Sequence, residues 1–280
     1  YDARGSQIFE EITRLPEYYP TRTEREVMRL HGRDIARRIG PGRTVIELGA
    51  GNCEKARSLC EAIAAKRFVA VDISEEFLHQ SVMRLQTEMP LLTVCAFAAD
   101  LTQDIELPGD VPQAHRLVYY PGSSIGNFDL PQASTLLERM RHMLQDDGAL
   151  LIGVDLRKDV AVLEAAYDDA AGVTAAFNLN ALTHINRLIG SDFDLAGWKH
   201  VAFFNREASR IEMHLEAVAD VRVNWPGGGR SFARGERIHT ENSYKYEIEG
   251  FAQLLDEAGF HRTVAWTDER RWFAVVLACP

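Results

Sequence analysis

The chain is poor in cysteine, and Cys53, Cys60, Cys95 and Cys279 include no C-x-x-C pair. Zinc is therefore not expected, no other metal is implied, and the four thiols read as reduced, as in a cytoplasmic protein. No run of about 18 apolar residues occurs, so no membrane span is expected. No secretory leader is visible, although the chain starts at Tyr1 rather than at a methionine. Basic residues are in deficit: Lys and Arg total 31 against 41 Asp and Glu, a formal net charge of −10. A phosphate backbone needs clustered cations, so nucleic acid is not an expected partner. A small cationic molecule remains compatible with the balance. Internal repeats and low-complexity tracts are missing too. What is present is a chain of 280 residues, 46% apolar. That is long enough to bury a large core in one or two domains, and a monomer is expected.

The most informative stretch is TVIELGAGNCEKA, Thr44 to Ala56. Thr44–Leu48 is a short apolar run with β-branched residues and reads as a buried strand. Gly49, Ala50 and Gly51 break it, and residues 54–65 read as a helix. A strand passing through a glycine turn into a helix lets backbone N–H groups approach a ligand. On that reading a Cβ at Gly49 or Gly51 would block the approach; an ordinary strand–helix turn uses glycine as well. The dinucleotide fingerprint needs a third glycine, and Glu54 stands in its place, which argues against a nicotinamide-dependent reductase. An acid, Glu47, precedes the turn. A second strand, residues 67–71, closes on Asp72, about twenty residues past the turn, where an acid can bond both ribose hydroxyls of a nucleoside. A third, residues 92–98, leads to Asp100 and Leu101, where an acid can accept from an adenine amino group. Taken singly, each Asp reads better as a helix N-cap, Asp72 ahead of Ser74 and Glu75, Asp100 ahead of Thr102. Taken together, Glu47, Gly49, Gly51, Asp72 and Asp100 sit at the carboxyl ends of strands, where open α/β sheets bind ligands.

Upstream, residues 6–13 read as an amphipathic helix, followed by an aromatic loop in which Tyr19 precedes Pro20 and is expected to be extended. Residues 23–39 are helical by the spacing of Val27, Leu30, Ile35 and Ile39. Downstream, residues 115–120 form a fourth strand, followed by PGSSIGNF. Pro121, Gly122, Gly126 and Pro131 mark a fixed loop there, and Asn127 in it also reads as a plain turn residue. The Asn/Asp-Pro-Pro-aromatic loop of enzymes that methylate amino groups of nucleic acids is absent. Residues 136–143 read as a helix and Ala149–Asp155 as a fifth strand. Strands alternating with helices are the signature of a parallel sheet. The pattern then changes. Residues 159–188 are Ala-rich and helical, broken near Gly172; 201–205 and 210–223 read as antiparallel strands, with a turn at 226–229. A helix at 246–258 and strands at 261–267 and 272–278 return to the first pattern. Residues 157–245 thus read as an insertion, giving one domain of 23–156 with 246–280 and another of 1–22 with 157–245.

Seven stretches carry a specific likeness: YDARGSQIF, PEYYPTRTE, ELGAG, YYPGSSIGNF, YDDAAGVTAAFNLN, SRIEMHL and IHTENSYKY. In order, and over essentially the whole chain, they resemble the bacterial L-histidine Nα-methyltransferases of ergothioneine biosynthesis. The resemblance implies an α/β fold of the Rossmann-like class I methyltransferase type, with a seven-stranded, mostly parallel sheet and an inserted α+β substrate-binding domain. It implies transfer of three methyl groups from S-adenosylmethionine to the histidine amine, giving hercynine, without a metal. Family members start further upstream, so a preceding segment is expected. Tyr1, Gly49, Lys55, Asp72, Asp100 and Leu101 resemble the family's cofactor contacts. Tyr18, Asn127 and Tyr167 resemble the residues holding the amine and carboxylate, with Tyr18 and Asn127 as the catalytic pair. Glu241 and Ser243 resemble the imidazole contacts, Phe177 and Met213 the pocket walls, and Gly122 with Gly126 can leave room for added methyl groups. Other readings stand beside these: Lys55 as a solvated helix charge, Tyr167, Phe177 and Met213 as core residues, and Glu241 as a surface or cap residue. Two other functions stay open: methylation of another aromatic amino acid such as a prenylated tryptophan, and a non-catalytic module binding the same ligands on the same fold.

Overall fold

The computed structural model describes every residue except Tyr1 and Ser74, and every side chain except those two and Ala3, Glu75, Glu76 and Phe77. The cofactor contact expected at Tyr1 therefore lies outside the described residues. In chain order the elements are α1 (Ala3–Ile12), α2 (Tyr19–Ile39), β1 (Thr44–Leu48), α3 (Glu54–Ala62), β2 (Arg67–Asp72), α4 (Glu75–Glu88), β3 (Thr93–Ala98), β4 (Arg116–Tyr120), α5 (Leu130–His142) and β5 (Ala149–Asp155). Then come α6 (Val160–Ala165), α7 (Val173–Ile189), β6 (Trp198–Asn205), β7 (Arg210–Ala217), β8 (Val221–Trp225), β9 (Gly228–Phe232), β10 (Arg237–Tyr244), α8 (Ile248–Glu257), β11 (Arg262–Thr267) and β12 (Phe273–Cys279). The chain divides into two compact units: Tyr1–Thr21 with Arg157–Lys245, and Arg22–Leu156 with Tyr246–Pro280. No described helix is long and apolar enough to cross a membrane.

The larger unit is built on a seven-stranded sheet in the order β11-β12-β5-β4-β1-β2-β3. Strands β1 to β5 pair in parallel, and β12 runs against both of its neighbours. β1 and β5 are buried at every residue, as expected of parallel strands covered on both faces. Two helix starts differ from the sequence reading for one reason. Tyr19 is helical rather than extended, and α5 begins at Leu130 instead of near 136. Pro20 and Pro131 both fall in a first helical turn, where the missing N–H costs nothing and the fixed φ suits the helix. At α5 the start is sealed by a capping box: the Asp129 carboxylate accepts from Gln132 N (2.9 Å) and the Gln132 amide oxygen from Asp129 N (3.1 Å).

The smaller unit holds the sheet β10-β7-β6, entirely antiparallel, and the hairpin β8–β9. Its core is Leu182 of α7 against Trp198, Leu215, Ala217, Val223 and Phe232. The break expected near Gly172 lies there, at φ +73° ahead of α7. The single strand expected over 210–223 is two, β7 and β8. β9 was hidden in a glycine run: a Cβ at Gly229 would lie 2.9 Å from the Val223 carbonyl oxygen across the hairpin, so close backbone pairing excludes larger residues. Asp2 ties α1 to α7. It caps α1 by accepting from Gly5 N at 2.8 Å, and also accepts from Asn180 (2.8 Å) and Arg187 (3.0 Å).

Candidate active site

In the larger unit, β1 runs into the glycine turn. Gly49 and Gly51 have φ of +68° and +52°, a region that favours glycine because a Cβ there meets the backbone. An added Cβ at either would find nothing within 4 Å, so the turn faces open space. Gly49 and Ala50 both donate to the Val71 carbonyl, and Gly51 N donates to the Asp72 carboxylate at 3.0 Å. Asp72 thus braces the turn itself. Asp100 accepts from the backbone N–H and the hydroxyl of Thr102, both at 2.8 Å, and these bonds hold its carboxyl below the usual range. No helix follows, so Asp100 closes a local turn rather than capping a helix; Leu101 beside it is half-buried.

Glu47, in β1, is 2% exposed. Burial pushes its carboxyl well up, Lys55 opposing and Glu24 and Asp72 adding to the rise. Its Oε2 has no hydrogen-bond partner among the described residues. A buried orphan acid beside a turn that faces open space suits a site that receives a polar ligand.

Sequence reasoning missed Glu24. This α2 residue is 3% exposed; its Oε2 is 2.6 Å from Lys55 Nζ and its Oε1 accepts from Gly122 N at 2.8 Å. Lys55, expected to touch a cofactor or to be solvated, is held by this ion pair. Gly122 has φ +79°, a backbone conformation that favours glycine, and a Cβ there would lie 3.1 Å from Lys55 Nζ. A Cβ at Gly153 of β5 would come within 2.6 Å of Glu24 Oε1. One buried carboxylate therefore ties α2 to α3 and to the start of the 121–128 loop, and packs against Gly153 of β5. Asn127 ends a 3-10 turn closed by backbone bonds, with its side chain exposed.

In the smaller unit, Glu241 of β10 lies opposite Met213 of β7, and Ser243 opposite Ile211. Plain alternation would also put His239 on this face. A bulge between His239 and Glu241 breaks the register, so His239 pairs with His214 instead. Tyr167 Oη and Ser243 Oγ are 2.7 Å apart. Lys245, also missed, is 3% exposed, with Nζ at 3.0 Å from Tyr167 Oη and 2.8 Å from Ser243 Oγ. Tyr18 meets the Tyr167 ring edge-on at 6.1 Å, and Phe9 bridges Tyr18 to Phe177. Six expected substrate contacts, Tyr18, Tyr167, Phe177, Met213, Glu241 and Ser243, thus fall in this one unit. Burial pushes the Glu241 carboxyl up to about 7, with the Lys245 ammonium opposing.

On the other face of β7, Glu212, His214 and His239 bring ligand-type atoms within 4.8 Å of one another. Arg210 and Asn205 already occupy Glu212 Oε1, and His214 Nε2 lies 3.0 Å from Oε2. Burial would raise Glu212, but these bonds outweigh it and bring the carboxyl down to about 2. The two His rings stack at 4.6 Å. With a guanidinium on the carboxylate and the rings face to face, this is an ion-paired stack. All four cysteines are free thiols; burial pushes Cys60 up to about 12 and Cys53 higher still.

A family model described as histidine-specific methyltransferase, S-adenosylmethionine-dependent, matches residues 1–280. The chain belongs to this family. The histidine N-alpha-methyltransferase of Mycolicibacterium smegmatis is 40% identical over 99% of this chain and 88% of its own length. Ergothioneine biosynthesis protein 1 of Neurospora crassa is 31% identical over 95% of this chain, which spans 31% of that larger protein. Among solved structures, the CcbJ methyltransferase of Streptomyces caelestis shares the fold, at TM-score 0.50 and 14% identity, covering 89% of this chain and 94% of that one. The protein is an S-adenosylmethionine-dependent N-methyltransferase, and its larger unit is the class I methyltransferase sheet. In this methyltransferase Asp72→Ala removes the acceptor that braces Gly51. Calorimetry should show S-adenosylhomocysteine bound at least tenfold more weakly, and unchanged affinity would place the ribose contact elsewhere.

Proposed function

We propose that this methyltransferase adds three methyl groups in turn to the α-amine of L-histidine, giving hercynine, as the first step of ergothioneine synthesis. The observation carrying the reading is the β10 face on which Glu241 and Ser243 stand two residues apart, beside Met213 and Tyr167. Imidazole has two ring nitrogens, and two polar groups on one face can address both. Indole has a single N–H, so a tryptophan derivative would leave one of them unmatched. The names of the bacterial and fungal relatives support the same reading. We assign the amino acid's ring to the smaller unit and S-adenosylmethionine to the larger one.

The chemistry asks little of side chains. Methyl transfer is an in-line displacement at the sulfonium carbon, and alignment of the amine lone pair supplies most of the advantage. No nucleophilic side chain or metal is needed. A free α-amine is mostly protonated at neutral pH, so Tyr18 is assigned to help remove that proton, directly or through water, its phenol passing its own proton on to solvent as it accepts the amine's. Tyrosine faces also accommodate a methylated cation. The quaternary product has no lone pair, and the reaction stops there. Incubation with histidine and excess S-adenosylmethionine, followed by mass spectrometry, should end at the trimethyl species. A time course ending at the monomethyl species would overturn the reading. Methylation of a tryptophan derivative but not histidine would overturn the substrate, and binding of both ligands without transfer would favour a non-catalytic module.

A further inference from the structure

Three polar groups of the smaller unit close a triangle: Tyr167 Oη to Ser243 Oγ, 2.7 Å; Lys245 Nζ to Ser243 Oγ, 2.8 Å; Lys245 Nζ to Tyr167 Oη, 3.0 Å. An ammonium has three donors and no acceptor, and each hydroxyl has one donor. Lys245 therefore donates to both oxygens, and the Tyr–Ser edge uses one hydroxyl proton. The other hydroxyl proton points out of the triangle. Either hydroxyl can be the donor on that edge; a phenol is far more acidic than an aliphatic hydroxyl and is the better donor, so we assign that proton to Tyr167. Ser243 then accepts twice, and its own proton is the one left to offer. Two residues earlier on β10, on the same face, stands the Glu241 carboxylate.

We propose that Lys245 is a positioning and specificity residue that holds Ser243 as a donor, so that the site takes the histidine ring in its neutral form, its unprotonated nitrogen toward Ser243 and its N–H toward Glu241. This rests on the reading of that face as the imidazole site. An imidazolium carries N–H at both nitrogens, so one of them would face the Ser243 donor with the Lys245 charge behind it. Among the described residues, the groups facing Lys245 include Tyr167, whose ring centroid lies 4.7 Å from the ammonium, and Glu241; Tyr18 packs edge-on against Tyr167. Glu241 itself, pushed up to about 7 by burial with Lys245 opposing, titrates in the same range as the ring, and the test must separate the two.

The separating probe is β-(1,2,4-triazol-3-yl)alanine, whose ring keeps an N–H and acceptor nitrogens and stays neutral from about pH 5.5 to 7.5. Both amino acids are titrated calorimetrically into the whole protein across that range. Histidine affinity should fall about tenfold more than that of the triazole as pH drops to one unit below the ring pKa of about 6.5. In Lys245→Met that extra loss should vanish. Parallel profiles for the two amino acids in the parent would overturn the proposal, whether or not the variant folds. So would a Lys245→Met variant that keeps the parent's difference. Histidine affinity unchanged in both Ser243→Ala and Glu241→Ala would instead remove the imidazole site on which the proposal stands.

Discussion

Glu24→Ala is expected to destabilise the larger unit by about 3 kcal/mol. Removing one member of a buried ion pair costs roughly 3–5 kcal/mol. Lys55 keeps part of its side chain in solvent, which brings the ion-pair term below that range, to about 1–2 kcal/mol. The Gly122 N–H loses its acceptor as well, a further cost of about 1–3 kcal/mol if water does not replace it. For a unit of this size about 3 kcal/mol corresponds to a fall in Tm of roughly 6–12 °C. Glu24→Gln keeps an acceptor for Gly122 and loses only the charge, so it should fall between the parent and Glu24→Ala. Thermal unfolding of the three proteins checks the order. A Tm for Glu24→Ala within a degree of the parent would mean that the carboxylate does not brace α3 and the loop after β4.

That Glu24 escaped the sequence reading has a physical reason. Buried parallel strands announce themselves as short apolar runs, and Thr44–Leu48 and Ala149–Asp155 stand in the structure at the residues expected. A charge inside a helix reads as solvated by default, because its partner comes from elsewhere in the chain. Position could have found it: Glu24 is one turn before Val27 and Met28, on the apolar side of α2. Lys245 was also within reach of periodicity. Residues 241, 243 and 245 alternate along one strand direction, and the first two had been singled out. The bulge that removes His239 from that face was not legible, since it depends on which β7 residue pairs with which. Nor was β9, whose glycines read as a turn until the facing carbonyl showed why they must be small. At Asp72 and Asp100 the choice between ligand and cap depended on whether a helix follows and on what the carboxylate touches. One braces the glycine turn and the other closes its own.

Glu241→Ala is expected to lower kcat/KM for histidine by ten- to a hundredfold while leaving cofactor affinity nearly unchanged. The carboxylate stands on the same face as Ser243 and opposite Met213, in an environment that pushes it up to about 7. In the role proposed for it the ionised carboxylate accepts from a ring N–H, and a hydrogen bond to a charged group contributes about 1.5–3 kcal/mol, which is that range of rate. Alanine removes the acceptor without touching Gly49, Gly51 or Asp72, so calorimetry with S-adenosylhomocysteine should report the parent's affinity. Glu241→Gln keeps the shape and an amide oxygen that can accept, so it should recover part of the loss; it carries no charge, so recovery should stop short of the parent. An unchanged kcat/KM for histidine in Glu241→Ala would place the imidazole site elsewhere. Equal activity of the parent on histidine and tryptophan would sink the specificity argument itself, because the two polar groups on one face would then be choosing nothing.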